Sequence, residues 1–194
     1  KMEQHNSGKP SVDQSVCVGC RVCSKNCAHG AISFPENKAY IDHAKCVGCG
    51  RCLGACNFDA IYNENPSAVK DLNMKMAEYT KAVVDGRPAF HINLVIDVSP
   101  YCDCHPENDV PILPDIGMFA SFDPVALDQA CADACNAQQP VRGSILDEHM
   151  HEEGFCDHHD HFTNTTPESE WETCLAHAEK IGLGSREYEL VEVK

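Results

Sequence analysis

The chain has 194 residues, 43% of them hydrophobic, with 30 acidic against 15 basic residues and a formal net charge of −15 at pH 7. That length holds one small unit and one further domain with a core of its own. The acidity excludes nucleic acid and an anionic membrane surface as partners and fits docking with a basic one; no apolar run approaches the roughly 18 residues of a membrane span, and no signal-peptide pattern is present.

Residues 1–11 read as a lead-in. They do not begin with Met, and Lys1 to Pro10 carry no punctuation of their own. They are the end of something longer or a processed start.

Cysteines then dominate. Cys17, Cys20, Cys23 and Cys27 follow the spacing C-x₂-C-x₂-C-x₃-C, and Cys46, Cys49, Cys52 and Cys56 repeat it. This is the bacterial-type iron–sulfur run, in which the fourth cysteine serves the other cluster. It assigns Cys17, Cys20, Cys23 and Cys56 to one 4Fe–4S cluster, and Cys27, Cys46, Cys49 and Cys52 to a second. Gly19 and Gly48 permit the tight turns that aim backbone N–H groups at sulfur. A shift of 29 positions carries Cys17–Ile32 onto Cys46–Ile61, including Val18 onto Val47 and Ala31 onto Ala60. Such a repeat implies a pseudo-two-fold with crossed fourth ligands. A zinc site or a disulfide framework are the competing readings. Zinc takes four ligands, typically as two separated Cys-x-x-Cys pairs, and does not call for this spacing twice. Between the halves, 31–34 and 39–42 flank Pro35–Lys38 as a predicted hairpin.

Residues 12–64 therefore resemble a bacterial-type two-cluster ferredoxin. The proline that usually follows each fourth cysteine is replaced by Ala28 and Asn57, which are not ligand positions. Fourteen cysteines in a chain with two labile clusters point to a reducing, anaerobic cytoplasm. Arg21, Lys25 and Arg51 are the cations nearest the clusters, but the acidic residues outnumber them and favour low potentials.

Residues 65–194 are predicted to form a larger α/β domain. Asn65 and Pro66 open a helix in which Val69, Leu72, Met76, Tyr79 and Val83 mark a buried face, ending at Gly86. Phe90–Val98 follows as a largely buried strand. It runs into Cys102, Asp103, Cys104 and His105, a mixture of thiolate, carboxylate and imidazole suited to an additional divalent metal or a nucleophile. Residues 110–121 give a short apolar strand. Asp115 on it and Asp123 in the turn after it are candidates for the same second site. Asp123 also reads as the N-cap of the next helix. Cys131 and Cys135 on that helix read as core rather than as paired ligands. The histidine-rich stretch from His149 to His161 lacks the H-E-x-x-H pattern, since Phe155 stands at the second His position; it suits a divalent metal or a solvated loop, and carries no assigned role. Thr166 and Pro167 start the last helix, with Trp171, Leu175, Ala178 and Ile181 on its buried face. Tyr188–Val193 is a predicted terminal strand.

The stretches Met2 with His5–Ser7, Pro114–Gly117, Asp123–Asp128, Cys102–Cys104 and Ile181–Tyr188 widen the resemblance to nearly the whole chain. It is similar to uncharacterised iron–sulfur centre proteins of anaerobic bacteria and archaea, in which a two-cluster ferredoxin is inserted into a domain of unknown function. The resemblance implies an α+β fold, with a ferredoxin-like insert beside a larger domain built on a mixed sheet. It also implies a further N-terminal half of the same protein before Lys1. Two functions are expected from these features. One is an electron carrier passing single electrons to a redox partner protein. The other is a redox enzyme whose ferredoxin unit feeds a site near Cys102–His105.

Overall fold

A computed structural model describes residues 8–101 and 110–193. The fold is α+β, as expected, and divides into two compact units between Lys75 and Met76.

In the first unit the sequence repeat becomes a repeat of backbone. Its elements are β1 (Pro10–Val12), α1 (Val22–Asn26), β2 (Ile32–Ser33), a 3₁₀ turn (Pro35–Asn37), β3 (Tyr40–Ile41), α2 (Arg51–Gly54) and β4 (Ile61–Asn63). β2 pairs antiparallel with β3, Ile32 opposite Ile41 and Ser33 opposite Tyr40. β1 pairs antiparallel with β4, Val12 opposite Ile61 and Ser11 opposite Tyr62. A shift of 29 positions turns one register into the other. The turns obey the same shift. Asp13 N–H donates to Ala60 O at 2.7 Å, as Asp42 N–H donates to Ala31 O at 2.8 Å. Cys17 N–H donates to Asp13 O at 3.0 Å, as Cys46 N–H donates to Asp42 O at 2.9 Å. Left-handed φ values recur as well, at Gly19 (71°) and Gly48 (73°), and at Arg21 (67°) and Gly50 (76°). Arg21 adopts without glycine's freedom a conformation that L side chains seldom take. Its guanidinium lies over the Phe34 ring, 5.0 Å from the centroid.

The core of this unit is slight. It consists of Cys17, Cys23, Ala39, Ile41, Cys52, Ala60 and Ile61. Three of those seven side chains are thiols, and two more are alanines.

The second unit is built from the end of α3 (Ala68–Val84), β5 (His91–Val95), β6 (Gly117–Ser121), α4 (Pro124–Asn136), α5 (Ile145–Met150), α6 (His161–Thr165) and α7 (Trp171–Lys180). β5 and β6 pair antiparallel, with Asn93 opposite Phe119. Every ladder among the described residues is antiparallel, so the mixed sheet anticipated for this unit is replaced by a two-stranded one. α4 covers one face of it. Val95, Ile112, Leu113, Leu127, Cys131, Cys135 and Leu146 are buried together there. A second small cluster joins Ala77 of α3 to Val125, Leu175 and Ala178.

Several elements differ from their sequence reading. α3 starts at Ala68 because Asn65 spends its carbonyls on a preceding turn, its Oδ1 accepting from Ser67 N–H and its main-chain O from Ala68 N–H. The stripe marked by Val69, Met76, Tyr79 and Val83 is exposed. The helix buries Ala77 instead, while Glu78 meets His177 Nε2 at 3.0 Å and Lys81 donates to Gly182 O at 3.0 Å. β5 is not largely buried. Phe90, Ile92, Leu94 and Ile96 face away from α4 and are exposed, whereas Asn93 donates to Asp128 of α4 at 2.7 Å. α7 begins at Trp171 rather than at Pro167. Tyr188–Val193 forms no strand. Hydrogen bonds hold residues 185–188 along α4: Ser185 N–H donates to Asp123, Arg186 Nε to Gln129 and the Tyr188 hydroxyl to Asp133.

The histidine-rich stretch is organised by Asp160, the N-cap of α6. Its carboxylate accepts from Phe162 N–H, Thr163 N–H and hydroxyl, Asn136 Nδ2 and Trp171 Nε1. Burial pushes its pKa up, but these donors outweigh burial and hold it below the ordinary carboxylate value. A carboxylate depressed in the folded state stabilises above its unfolded pKa and loses that contribution as pH falls through the folded one. Asp160→Ala should therefore cost about 1–2 kcal/mol at pH 7, and much less at pH 3. Urea titrations of both proteins at the two pH values check this.

Candidate functional site

The repeated turns of the first unit place their cysteines around two cavities. Cys17, Cys20, Cys23 and Cys56 line one, with Val18, Arg21, Phe34, Ala39, Ala55, Phe58, Ala60 and Ile61. Cys27, Cys46, Cys49 and Cys52 line the other, with Pro10, His29, Ala31, Ile32, Ile41, Val47, Gly50 and Arg51. In each, three thiols come from one half of the repeat and the fourth from the other half. The short helices achieve this, because α1 runs from Cys23 towards Cys27 and α2 from Cys52 towards Cys56, so the fourth thiol is carried away from the first three.

Neither cavity gathers thiols as one ion would. Among the described residues no three His, Cys, Asp or Glu side chains converge on a single-ion position. Thiolates about 2.3 Å from a zinc ion would sit within about 4 Å of one another. Here four thiols are spread over the walls of an apolar cavity.

Backbone N–H groups point at three of the sulfurs. Ala39 N–H donates to Cys17 Sγ at 3.4 Å, Ala31 N–H to Cys27 Sγ at 3.4 Å and Gly48 N–H to Cys46 Sγ at 3.5 Å. The Gly48 contact is the one its turn was read to make. Those from Ala31 and Ala39 were not read from the sequence, since they depend on how the strands fold back.

Burial and mutual repulsion make Cys23 and Cys52 reluctant to ionise alone. Burial raises the pKa of Cys23, with the charges of Cys20, Cys56 and Cys17 adding to it. Burial pushes Cys52 up to about 12, aided by Cys46, Cys49 and Cys23. Cys23 and Cys52 belong to one buried cluster, so the two thiol sets are neighbours.

The described cysteines are free thiols, with no disulfide among them. Cys131 and Cys135 are core residues of the second unit. Burial raises both, and Cys135 reaches about 11.

The second candidate site falls largely outside the described residues. Cys102, Asp103, Cys104 and His105 lie outside the described residues. Asp115 and Asp123 sit at opposite ends of β6, whose five residues span roughly 16 Å at about 3.3 Å each. Both carboxylates serve backbone. Asp115 accepts from Asp97 N–H, and Asp123 accepts from Val125, Ala126 and Ser185 N–H. Four of the five histidines between 149 and 161 are separately engaged: His149 with Asn164 O, His151 with Asp147 O, His159 with Asp157 and His161 with Gln138 O.

Fold and site together define an α+β protein with two neighbouring four-cysteine cavities. The chain belongs to the family described as Domain of unknown function (DUF362), whose model matches residues 10–133. That match runs from β1 through both cavities and into α4. A comparison with curated proteins finds no match. No helix among the described residues is long and apolar enough to cross a membrane.

Thiol reactivity should follow these surroundings. In anaerobic protein at pH 8, iodoacetamide should modify the exposed Cys156 and spare Cys131 and Cys135. Cys135 labelling should climb only as pH approaches about 11. Peptide mass spectrometry across pH checks this; early labelling of Cys135 would remove it from the core.

Proposed function

We propose that this chain is an iron–sulfur electron-transfer protein of the two-cluster ferredoxin type, each cavity holding one 4Fe–4S cluster. The observation that carries this is the division of eight cysteines into two cavities, three plus one, with the fourth exchanged between halves. Cys17, Cys20, Cys23 and Cys56 are the ligands on one side, and Cys27, Cys46, Cys49 and Cys52 on the other. A bound 4Fe–4S cluster supplies reversible one-electron chemistry.

The chain's own residues do the rest. Val18, Phe34, Phe58, Ala60 and Ile61 keep water from one cavity, as Ile32, Ile41 and Val47 do from the other. Ala31, Ala39 and Gly48 donate to ligand sulfurs and so favour the more negative state. The juxtaposition of Cys23 and Cys52 keeps the two sites close enough for electron exchange. A net charge of −15 suits a redox partner with a basic docking face. Labile clusters of this kind belong in a reducing, cytoplasmic, anaerobic setting.

The redox-enzyme reading requires Cys102–His105, and neither Asp115 nor Asp123 is left unengaged to join them. Metal analysis and an ultraviolet–visible spectrum of anaerobic protein separate the two: a flavin or a metal beyond the cluster irons would move the balance to the enzyme.

Eight irons and eight sulfides per chain are expected. Cys20→Ser should disturb the cluster that shares Cys56 and leave the ligand set of the other whole. Selective loss of the Cys46-containing cluster in that variant would overturn the exchanged assignment. Both midpoints should fall in the lower half of the range of about −700 to +450 mV spanned by such centres; a redox titration that puts either above zero contradicts the argument from acidity.

A further inference from the structure

The 29-residue repeat fails at one chemically definite place. Ala39 precedes β3, is 1% exposed, and lines the cavity of Cys17, Cys20, Cys23 and Cys56. Its N–H donates to Cys17 Sγ at 3.4 Å. Shifting back by 29 positions lands on Pro10, which begins β1 and lines the cavity of Cys27, Cys46, Cys49 and Cys52. The shift carries Cys46 onto Cys17, so Pro10 stands to Cys46 as Ala39 stands to Cys17. The matching ladder registers and turn hydrogen bonds place the two residues equivalently. Pro10 is fully buried, and proline has no N–H to give.

We infer that Pro10 is a potential-setting residue: it withholds from the second centre the backbone donor that Ala39 gives the first. This rests on the two-cluster reading above. An N–H donor to a ligand sulfur stabilises the added electron and raises the potential. Arg21 lines one cavity and Arg51 the other, so each has an arginine beside it. Two donors run the opposite way: among the described contacts, Gly48 to Cys46 and Ala31 to Cys27 have no counterpart at Gly19 and Ala60, so the Pro10 effect is read from the variants' shifts and not from the order of the two midpoints. Pro10 removes a further donor, and does so covalently rather than by a small shift of geometry. Its carbonyl remains engaged, meeting His43 Nε2 at 3.0 Å. The proline therefore keeps its strand in place while leaving the sulfur without that bond. Two centres with unequal donors are unequally reducible, which gives an electron arriving from a one-electron donor a preferred resting place.

The test is a dithionite titration followed by electron paramagnetic resonance, on the whole chain and on Pro10→Ala, Pro10→Gly and Ala39→Pro. Pro10→Ala and Pro10→Gly both restore an N–H. Each should raise one midpoint by roughly a tenfold change in the one-electron equilibrium, about 59 mV. Ala39→Pro should lower the other midpoint instead. In deuterated water, Pro10→Ala should also add one exchangeable deuteron coupled to the reduced centre, a signature that loosened packing would not produce. If Ala39→Pro does not fold, the two Pro10 variants carry the test alone. Eight irons with both midpoints unmoved in the Pro10 variants, or both moved equally, would overturn the inference. Fewer than eight irons in the unaltered chain would overturn the two-cluster reading instead.

Discussion

The pairing of β1 with β4 is the constraint on which the first unit depends. It joins residues separated by some fifty positions of chain, a closure whose entropy must be met by what it brings together. What it brings together is Cys56, at the end of α2, and the cavity of Cys17, Cys20 and Cys23. The β2–β3 hairpin performs the same service locally for Cys27 and the other three thiols. Register matters more than ladder length here. A slip of one residue would turn Val12 and Ile61 outward, and Ala60 O would lose the N–H of Asp13 that sets the following turn.

Short ladders and a slight fully buried core, with Val12, Ile32, Phe34 and Leu53 packed partly buried against it, give this unit little apolar burial. Ile41 and Ile61 are the large aliphatic members of a core otherwise made of alanines and cysteines. Small domains in this position draw stability from a bound metal or a cross-link, and ligand binding then becomes part of the folding free energy. Burial of Cys17, Cys23 and Cys52 makes physical sense on that reading, since a ligand turns the least useful part of the core into its centre. The second unit has no such need. Ile112, Leu113, Leu127 and Leu146 give it an aliphatic core of the ordinary kind.

Legibility in the sequence followed the range of the interactions. The cysteine spacing, the hairpin around Pro35–Lys38 and the cap at Asp123 are all set within a few residues, and each was readable. The faces of α3 and β5 were misread because periodicity marks an apolar side without saying what covers it. In α3 the small Ala77, flanked by Glu78 and Lys81 reaching to α7, decided which side went in. β5, read as largely buried, turns only one side inward: Asn93 bonds Asp128 of α4 and Val95 joins the core, while Ile92 and Leu94 are exposed. The hub at Asp160 was invisible for a different reason. Its partners, Asn136 and Trp171, come from two other helices, and no local pattern links them.

Burial acts on two kinds of cysteine in this chain with opposite consequences. Cys135 sits among aliphatic side chains, and its high pKa keeps it a neutral, space-filling group. Cys52 is pushed higher still, but part of the cause is the presence of Cys46, Cys49 and Cys23 around it. Burial comes first at Cys52 and the neighbouring thiols add to it, so its ionisation lacks a counter-charge among the side chains around it. Cys135 and Cys52 are both buried, and what separates them is the company each keeps.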